Sequence, residues 1–324
     1  MHMVDALLTP AVGVTMWGAT TGAIAWSSRK LRREGDDRKV PLMAVLGAFL
    51  FTAQMIKIAI PATGSCGHLG GALLLAILLG PHAAFIGVAS VLVVQALFFA
   101  HGGLLALGCN IINLGALTAY VAYPLVYLPL ARRGRQHLGT VAAAVVSLQL
   151  AAFGVVAETT LSGISALPFD AFLLLMQPIH LAIGLLEGVA TAAIIAFLCR
   201  ARPELEVQLQ ATQPVGNLPL RGLILVFLAA ALLTGGILSN FVSGHPDGLE
   251  WAIARVTGGA ELAPPADGLH PLLATAQERL TLFPGKPATD GTPATGTVGL
   301  VGGAVTLALC LLVGLLLRRR QPPA

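Results

Sequence analysis

Nine stretches of apolar residues, set apart by short polar breaks, occupy most of this 324-residue chain: 7–27, 40–60, 69–79, 83–100, 104–130, 138–157, 171–198, 222–241 and 298–317. About 20 apolar residues carry a helix across the hydrocarbon of a bilayer, and a backbone in that medium has to satisfy its own polar groups. Runs of this length therefore read as membrane helices, and the third, too short to span, reads as a half-helix. A soluble domain carries roughly 25% charged residues; this chain has 10%, with a mean hydropathy of +0.83. The expected fold is an all-α polytopic membrane protein. A bundle of about seven hydrophobic helices is followed by two further transmembrane helices joined by a long external loop.

The charges orient this bundle. Starting from an external amino terminus, alternation places segments 29–39, 131–137, 200–221 and 318–320 in the cytoplasm, and these hold fifteen of the nineteen Lys and Arg residues. Arg255, Arg279 and Lys286 fall outside, and Lys57 lies near the outer end of a span. Basic residues accumulate on the cytoplasmic side, so the expected topology is N-out, C-in. The pI of about 9.1 then marks topology and gives no reason to expect nucleic acid. The first run has no basic residue before it and no small-x-small cleavage site after it, so it is not expected to be a removed signal. Met1 would stay on the chain, because the bulky His2 disfavours its removal.

The polar segment 201–219 separates an expected domain at 1–200 from a second at 220–324, whose two spans enclose an external loop at 242–297. That loop is rich in Gly, Pro, Ala and Thr, above all at 283–297, and is expected to be partly flexible. No phosphate-binding loop, H-E-x-x-H or nucleophile elbow is found. The chain is thus not expected to be an enzyme, and any ATP is expected to be bound by a partner.

Met1 and His2 carry the most distinctive chemistry. A free amine, the next amide and the His2 imidazole form two fused chelate rings, giving three nitrogens in nearly one plane. Ni(II) and Cu(II) favour such tetragonal sites, and Co(II) is accommodated less tightly. His68, in the loop 61–68 on the same side, supplies a fourth nitrogen. The alternative is that His2 is an accidental second residue and His68 an ordinary loop residue.

Four ordered stretches then resemble one family. They are the start Met1-His2-Met-Val-Asp5, the loop Gly64-Ser-Cys-Gly-His68-Leu-Gly-Gly, the segment Val94–Asn113 around His101, Asn110 and Asn113, and Pro178-Ile-His180 through Glu187. They resemble the CbiM/NikM family, the substrate-binding components of cobalt and nickel energy-coupling factor transporters. The tail His245-Pro-Asp-Gly-Leu-Glu-Trp251 resembles the PDGLE small subunit of such transporters, here fused. The resemblance implies Met1, His2 and His68 as metal ligands and Ni2+ or Co2+ as the transported substrate. It also implies a transmembrane coupling subunit with cytoplasmic ATPases as partners, in the inner (plasma) membrane of a prokaryote. Cys66 stands where the family has a small hydroxyl residue, and His101 where an acidic one is usual.

Other residues have two readings each. Cys66, with Ser65 beside it, is either a soft donor next to His68 or a small packing residue. Asn110 and Asn113 share a helix face and either hold the amino-terminal loop or tie helices together. Asp5 either accepts from the His2 ring or starts a helix. His180 and Glu187, two turns apart, form either a structural polar pair or part of a transport pathway. Gly18, Ala19, Gly22 and Ala23 make a flat face on the first helix. It packs within the chain or, as the resemblance implies, against the coupling subunit. His245 and His270 read as solvated loop histidines, and Trp251 as a membrane-interface residue. A different class of protein, an ion-coupled secondary transporter working without an ATPase, would use His180, Glu187 and Glu158 as a relay.

Overall fold

The computed structural model describes residues 1–210, 220–241, 243–259, 262–283 and 295–318, almost all of them helical. A short turn at Asp5–Leu7 leads into α1 (Pro10–Glu34) and α2 (Lys39–Gln54), and a hairpin of β1 (Ile58–Ile60) and β2 (Ser65–Gly67) follows. Next come α3 (Ala72–Leu79), α4 (Pro81–Phe99), α5 (Leu107–Ala131), α6 (Gln136–Ser162), α7 (Phe169–Ala201) and α8 (Pro203–Gln210). The tail contributes α9 (Leu220–Gly236), α10 (Gly248–Thr257), α11 (Leu269–Leu280) and α12 (Thr295–Leu317).

Among the described residues six helices are long and apolar enough to cross a membrane: α4, α5, α6, α7, α9 with its following turn, and α12. α1 has the length, at 25 residues, but Thr, Gly and Trp dilute its apolar residues, and its last turns carry Arg29, Lys30, Arg32 and Arg33. The second apolar run departs from expectation. Its helix stops at Gln54, after 16 residues, and Ile58–Ile60 turns into a strand with Ala59 opposite Cys66. β-branched Ile58 and Ile60 suit a strand, and the hairpin satisfies backbone groups that leaving the helix would strand. α3 is the half-helix. All eight of its residues are buried, and with α2 and α4 it forms the centre of the apolar core.

The tail wraps this core. α9 and α12 pack along α2, where the Thr52 and Thr234 hydroxyls meet at 2.7 Å. Small residues let these backbones touch in an apolar medium: a Cβ placed on Gly299 would lie 2.7 Å from the Gly235 carbonyl oxygen. The segment between the last two spans holds α10 and α11, and both pack onto the amino-terminal part of the chain. The expectations placed on 211–219, 284–294 and 319–320 fall outside the described residues.

Candidate metal centre

The first eight residues form a strap over one end of the bundle, with Met1 and His2 each only 6% exposed. A buried strap has to place its backbone polar groups, and Asn110 on α5 takes two of them. Its Oδ1 accepts from the Met3 amide at 2.8 Å, and its Nδ2 donates to the Met3 carbonyl at 3.1 Å. The Gly103 amide donates to the same carbonyl at 3.0 Å. Gly102 has φ +84°, and a Cβ there would press on the Asn110 amide at 2.9 Å and on His2 Cβ at 3.4 Å. Only glycine fits both constraints. Asp5 does not reach the His2 ring. It opens the turn at Asp5–Leu7 and its Oδ1 accepts from the Ala106 amide at 2.9 Å, because the strap turns away from the ring at that point.

The partner of the His2 ring is Gln95, which sequence reasoning did not single out. A chain of amides sets the tautomer. Gln54 Nε2 donates to the Gly70 carbonyl at 3.0 Å, so its Oε1 accepts from Gln95 Nε2 at 2.6 Å. Gln95 Oε1 therefore faces His2 Nε2 at 3.1 Å as an acceptor. His2 Nε2 then carries the hydrogen, and Nδ1 keeps its lone pair; that buried Nδ1 has no hydrogen-bond partner. The available sign was a pair of glutamines inside apolar spans, where polar residues are costly.

The Met1 amine lies 3.5 Å from His68 Nε2. Two nitrogens about 2 Å from one ion sit about 2.8 to 4 Å apart, so this spacing suits a shared metal. The His2 ring stacks beside His68, with centroids 5.7 Å apart, and meets His101 edge-on at 4.3 Å. Burial, reinforced by the amine's charge, lowers the imidazole of His68 to about 3 and that of His101 to about 4. Burial and the same neighbours hold His2 well below the usual histidine range. All three are neutral donors at neutral pH. Among the described residues no three His, Cys, Asp or Glu side chains converge as a metal site by themselves.

The other major omission of the sequence reading is Asp247. Its Oδ2 pairs with the Met1 amine at 3.1 Å, and both groups are buried. Burial pushes its carboxyl up, but the amine, the Glu250 amide and the nearby histidines outweigh this and hold it far below the usual range. Asp247 also opens α10 in a reciprocal cap: its Oδ1 accepts from Leu249 and Glu250, and Glu250 accepts from the Asp247 amide. The spacing Asp247-x-x-Glu250 was a readable helix-start signal; its nearness to residue 1 was not.

The tail is zipped to the His68 loop. The Pro246 carbonyl accepts from the Cys66 amide at 2.9 Å and from Ser65 Oγ at 3.3 Å. Cys66 Sγ donates to the His245 carbonyl at 3.1 Å, and burial raises its thiol, so it packs as a neutral group. Trp251 Nε1 donates to the Thr63 carbonyl at 2.8 Å, so it docks this loop where an interfacial role was expected. His245 is exposed, as expected, but His270 is not. It is 3% exposed and its Nε2 donates to the Leu8 carbonyl at 2.8 Å, because α11 folds back over the strap. On α11, Gln277 Nε2 reaches the Ala96 and Gly102 carbonyls, which grips the His101 turn.

None of the remaining residues bonds to the Met1, His2 or His68 nitrogens, although the buried, unpartnered Nε2 of His180 lies beside Gly248, next to Asp247. Asn113 donates to Glu158 at 2.8 Å and does not touch the strap. His180 and Glu187 do not pair. His180 Nδ1 donates to the Met176 carbonyl at 2.8 Å, whereas Glu187 accepts from the Gly71 amide at 3.0 Å. Each found a nearer backbone partner than two turns of helix allow. Gly18, Ala19 and Gly22 are exposed and Ala23 is half-buried, and nothing lies within 4 Å of a Cβ placed on Gly18 or Gly22.

Comparison with known proteins gives two matches along the chain. Residues 2–205 match the family described as the cobalt uptake substrate-specific transmembrane region, CbiM, and residues 221–319 match the PDGLE domain. A putative fused nickel transport protein, NikMN, of Archaeoglobus fulgidus is 30% identical over 312 residues, covering 95% of this chain and 96% of that protein. The cobalt transport protein CbiM of Sorangium cellulosum is 32% identical over 219 residues, 65% of this chain and 96% of its own. A crystal structure of a transition metal transporter, 28% identical, superposes with a TM-score of 0.57 over 64% of this chain and 98% of that one.

Proposed function

The chain belongs to the CbiM family of cobalt-uptake transmembrane proteins, with a PDGLE region behind the family segment, and from that premise we propose how it handles a metal ion. It is a multi-pass membrane component of cobalt or nickel transport, of the CbiM and NikMN type. In our reading it captures Ni2+ or Co2+ as substrate on the outer face of a prokaryotic inner membrane, with its amino terminus outside and its carboxyl terminus inside. It catalyses no reaction and binds no nucleotide. A coupling subunit and cytoplasmic ATPases drive release inward.

The observation that carries this reading is the set of nitrogens at the strap. The Met1 amine, the His2 amide and His2 Nδ1 would close fused five- and six-membered chelate rings around an ion, and His68 Nε2 stands 3.5 Å from the amine for the fourth position. His2 Nδ1 is buried without a partner while Gln95 holds the other nitrogen of the ring, which is the division of labour a metal-ligating imidazole needs. Such a tetragonal nitrogen set suits Ni(II), and Co(II) less tightly.

The test is metal analysis and visible spectroscopy of the purified full-length protein, its intact mass first shown to begin at Met1. One bound ion with a planar nitrogen spectrum is expected. A residue inserted between Met1 and His2 should abolish both binding and uptake while expression persists. A protein that binds no transition metal, or an insertion variant with full uptake, would remove the reading.

A further inference from the structure

The strap's ammonium and the Asp247 carboxylate are 246 positions apart in the chain, and they pair in a place where an unpaired charge is costly. The two carboxylate oxygens have separate tasks. Oδ1 is held by the Leu249 and Glu250 amides at 2.8 and 2.9 Å, which locks the side chain in one orientation. Oδ2 is thereby aimed at the Met1 amine, 3.1 Å away. The Pro246 and His245 carbonyls, which accept from the Cys66 amide and thiol, hold this turn against the loop that bears His68.

We infer that Asp247 is a positioning residue of the metal site, one that seats the amine beside His68 and supplies the negative charge that a buried dication needs. This rests on the reading that the amine and His2 bind the ion. When the amine and the His2 amide ligate a metal, each gives up one proton to water, and the pairing cation of Asp247 disappears with the first. A dication held by one deprotonated amide carries a net single positive charge, and the Asp247 carboxylate, already desolvated and oriented, balances that charge. The carboxylate thus has a cation beside it both before and after loading. The tail then contributes a charge to the site through Asp247, without being a member of the nitrogen plane.

The test titrates full-length protein with Ni2+ alone, comparing wild type with Asp247→Asn, Glu250→Gln and His2→Ala. Asn still caps a helix, so Asp247→Asn removes charge and leaves α10 started; Asp247→Ser does the same should the Asn variant fail to fold. Loss of a residue that orients metal ligands weakens binding by roughly 10- to 100-fold, and that is the expected rise in Kd for Asp247→Asn, with the visible spectrum of the loaded site retained. Glu250→Gln, which keeps the reciprocal cap and the Asp247 carboxylate while removing only the neighbouring charge, should bind nearly as wild type. Wild-type affinity in Asp247→Asn, or an equal loss in Glu250→Gln, would overturn the inference while leaving the nitrogen site standing. Wild-type affinity in His2→Ala would instead remove the site reading, and this inference with it.

Discussion

At the scale of single residues, the centre depends on side chains that never touch an ion. Asn110 satisfies both polar groups of Met3 at once, so its loss strands a buried N–H and weakens the hold on a buried carbonyl. An unsatisfied buried group costs about 1–3 kcal/mol. Asn110→Ala should therefore destabilise the protein by about 2 kcal/mol and free the strap, with metal affinity falling by roughly 10-fold or more. Asn110→Asp keeps the acceptor for the Met3 amide, loses the donor to its carbonyl, and should fall between. Thermal melting and Ni2+ titration of both variants measure this, and an Ala variant as stable and tight as wild type would show that the strap is held elsewhere. Asn110 was legible in the sequence as a polar residue on an apolar helix. Its two readings, a hold on the amino-terminal loop or a tie between helices, stood equal in the sequence, and packing decided for Met3, 107 positions away.

At the scale of elements, α1 shows two faces with opposite chemistry. Thr20 Oγ1 donates to the Gly108 carbonyl at 2.8 Å and Ser27 Oγ meets Tyr120 at 2.5 Å, so the face through Gly13, Thr20 and Ser27 is spent on α5. The face through Gly18, Ala19 and Gly22 is left open. A flat small-residue face lets a second helix come close in lipid, and on our reading the coupling subunit takes it. Gly18→Leu should leave Ni2+ binding by the isolated protein within about twofold of wild type, because no side chain of this chain is displaced. Uptake by cells should fall to near background. Normal uptake by this variant would assign the face to lipid. The hairpin teaches a different lesson. The apolar run through Ile60 read as helix because hydropathy does not separate a short apolar strand from a helix end; what decided the outcome was the backbone pairing with Ser65–Gly67 and, across it, with Pro246.

At the scale of the whole molecule, the tail closes over the amino terminus. His270 holds the Leu8 carbonyl, Gln277 holds the turn at Ala96 and Gly102, and Asp247 holds Met1, so three contacts from one segment reach three parts of the centre. Each buried hydrogen bond contributes about 0.5–1.5 kcal/mol. The double variant His270→Ala, Gln277→Ala should loosen α11, raise the protease sensitivity of the tail, and weaken Ni2+ binding with an unchanged spectrum. A variant as protected and as tight as wild type would mean that α11 merely rests on the bundle. The sequence by itself determined that the chain is helical and built for a membrane, since apolar runs and the bias of Lys and Arg are local quantities that no packing alters. It also exposed the candidate nitrogen donors, because a chelate made by Met1 and His2 depends on adjacent residues alone. Only the tertiary structure decided that Asp247, Gln95 and His270 belong to the same place. Their partners lie 246, 93 and 262 positions away, and contacts across such distances are set by how helices pack, which no spacing along the chain records.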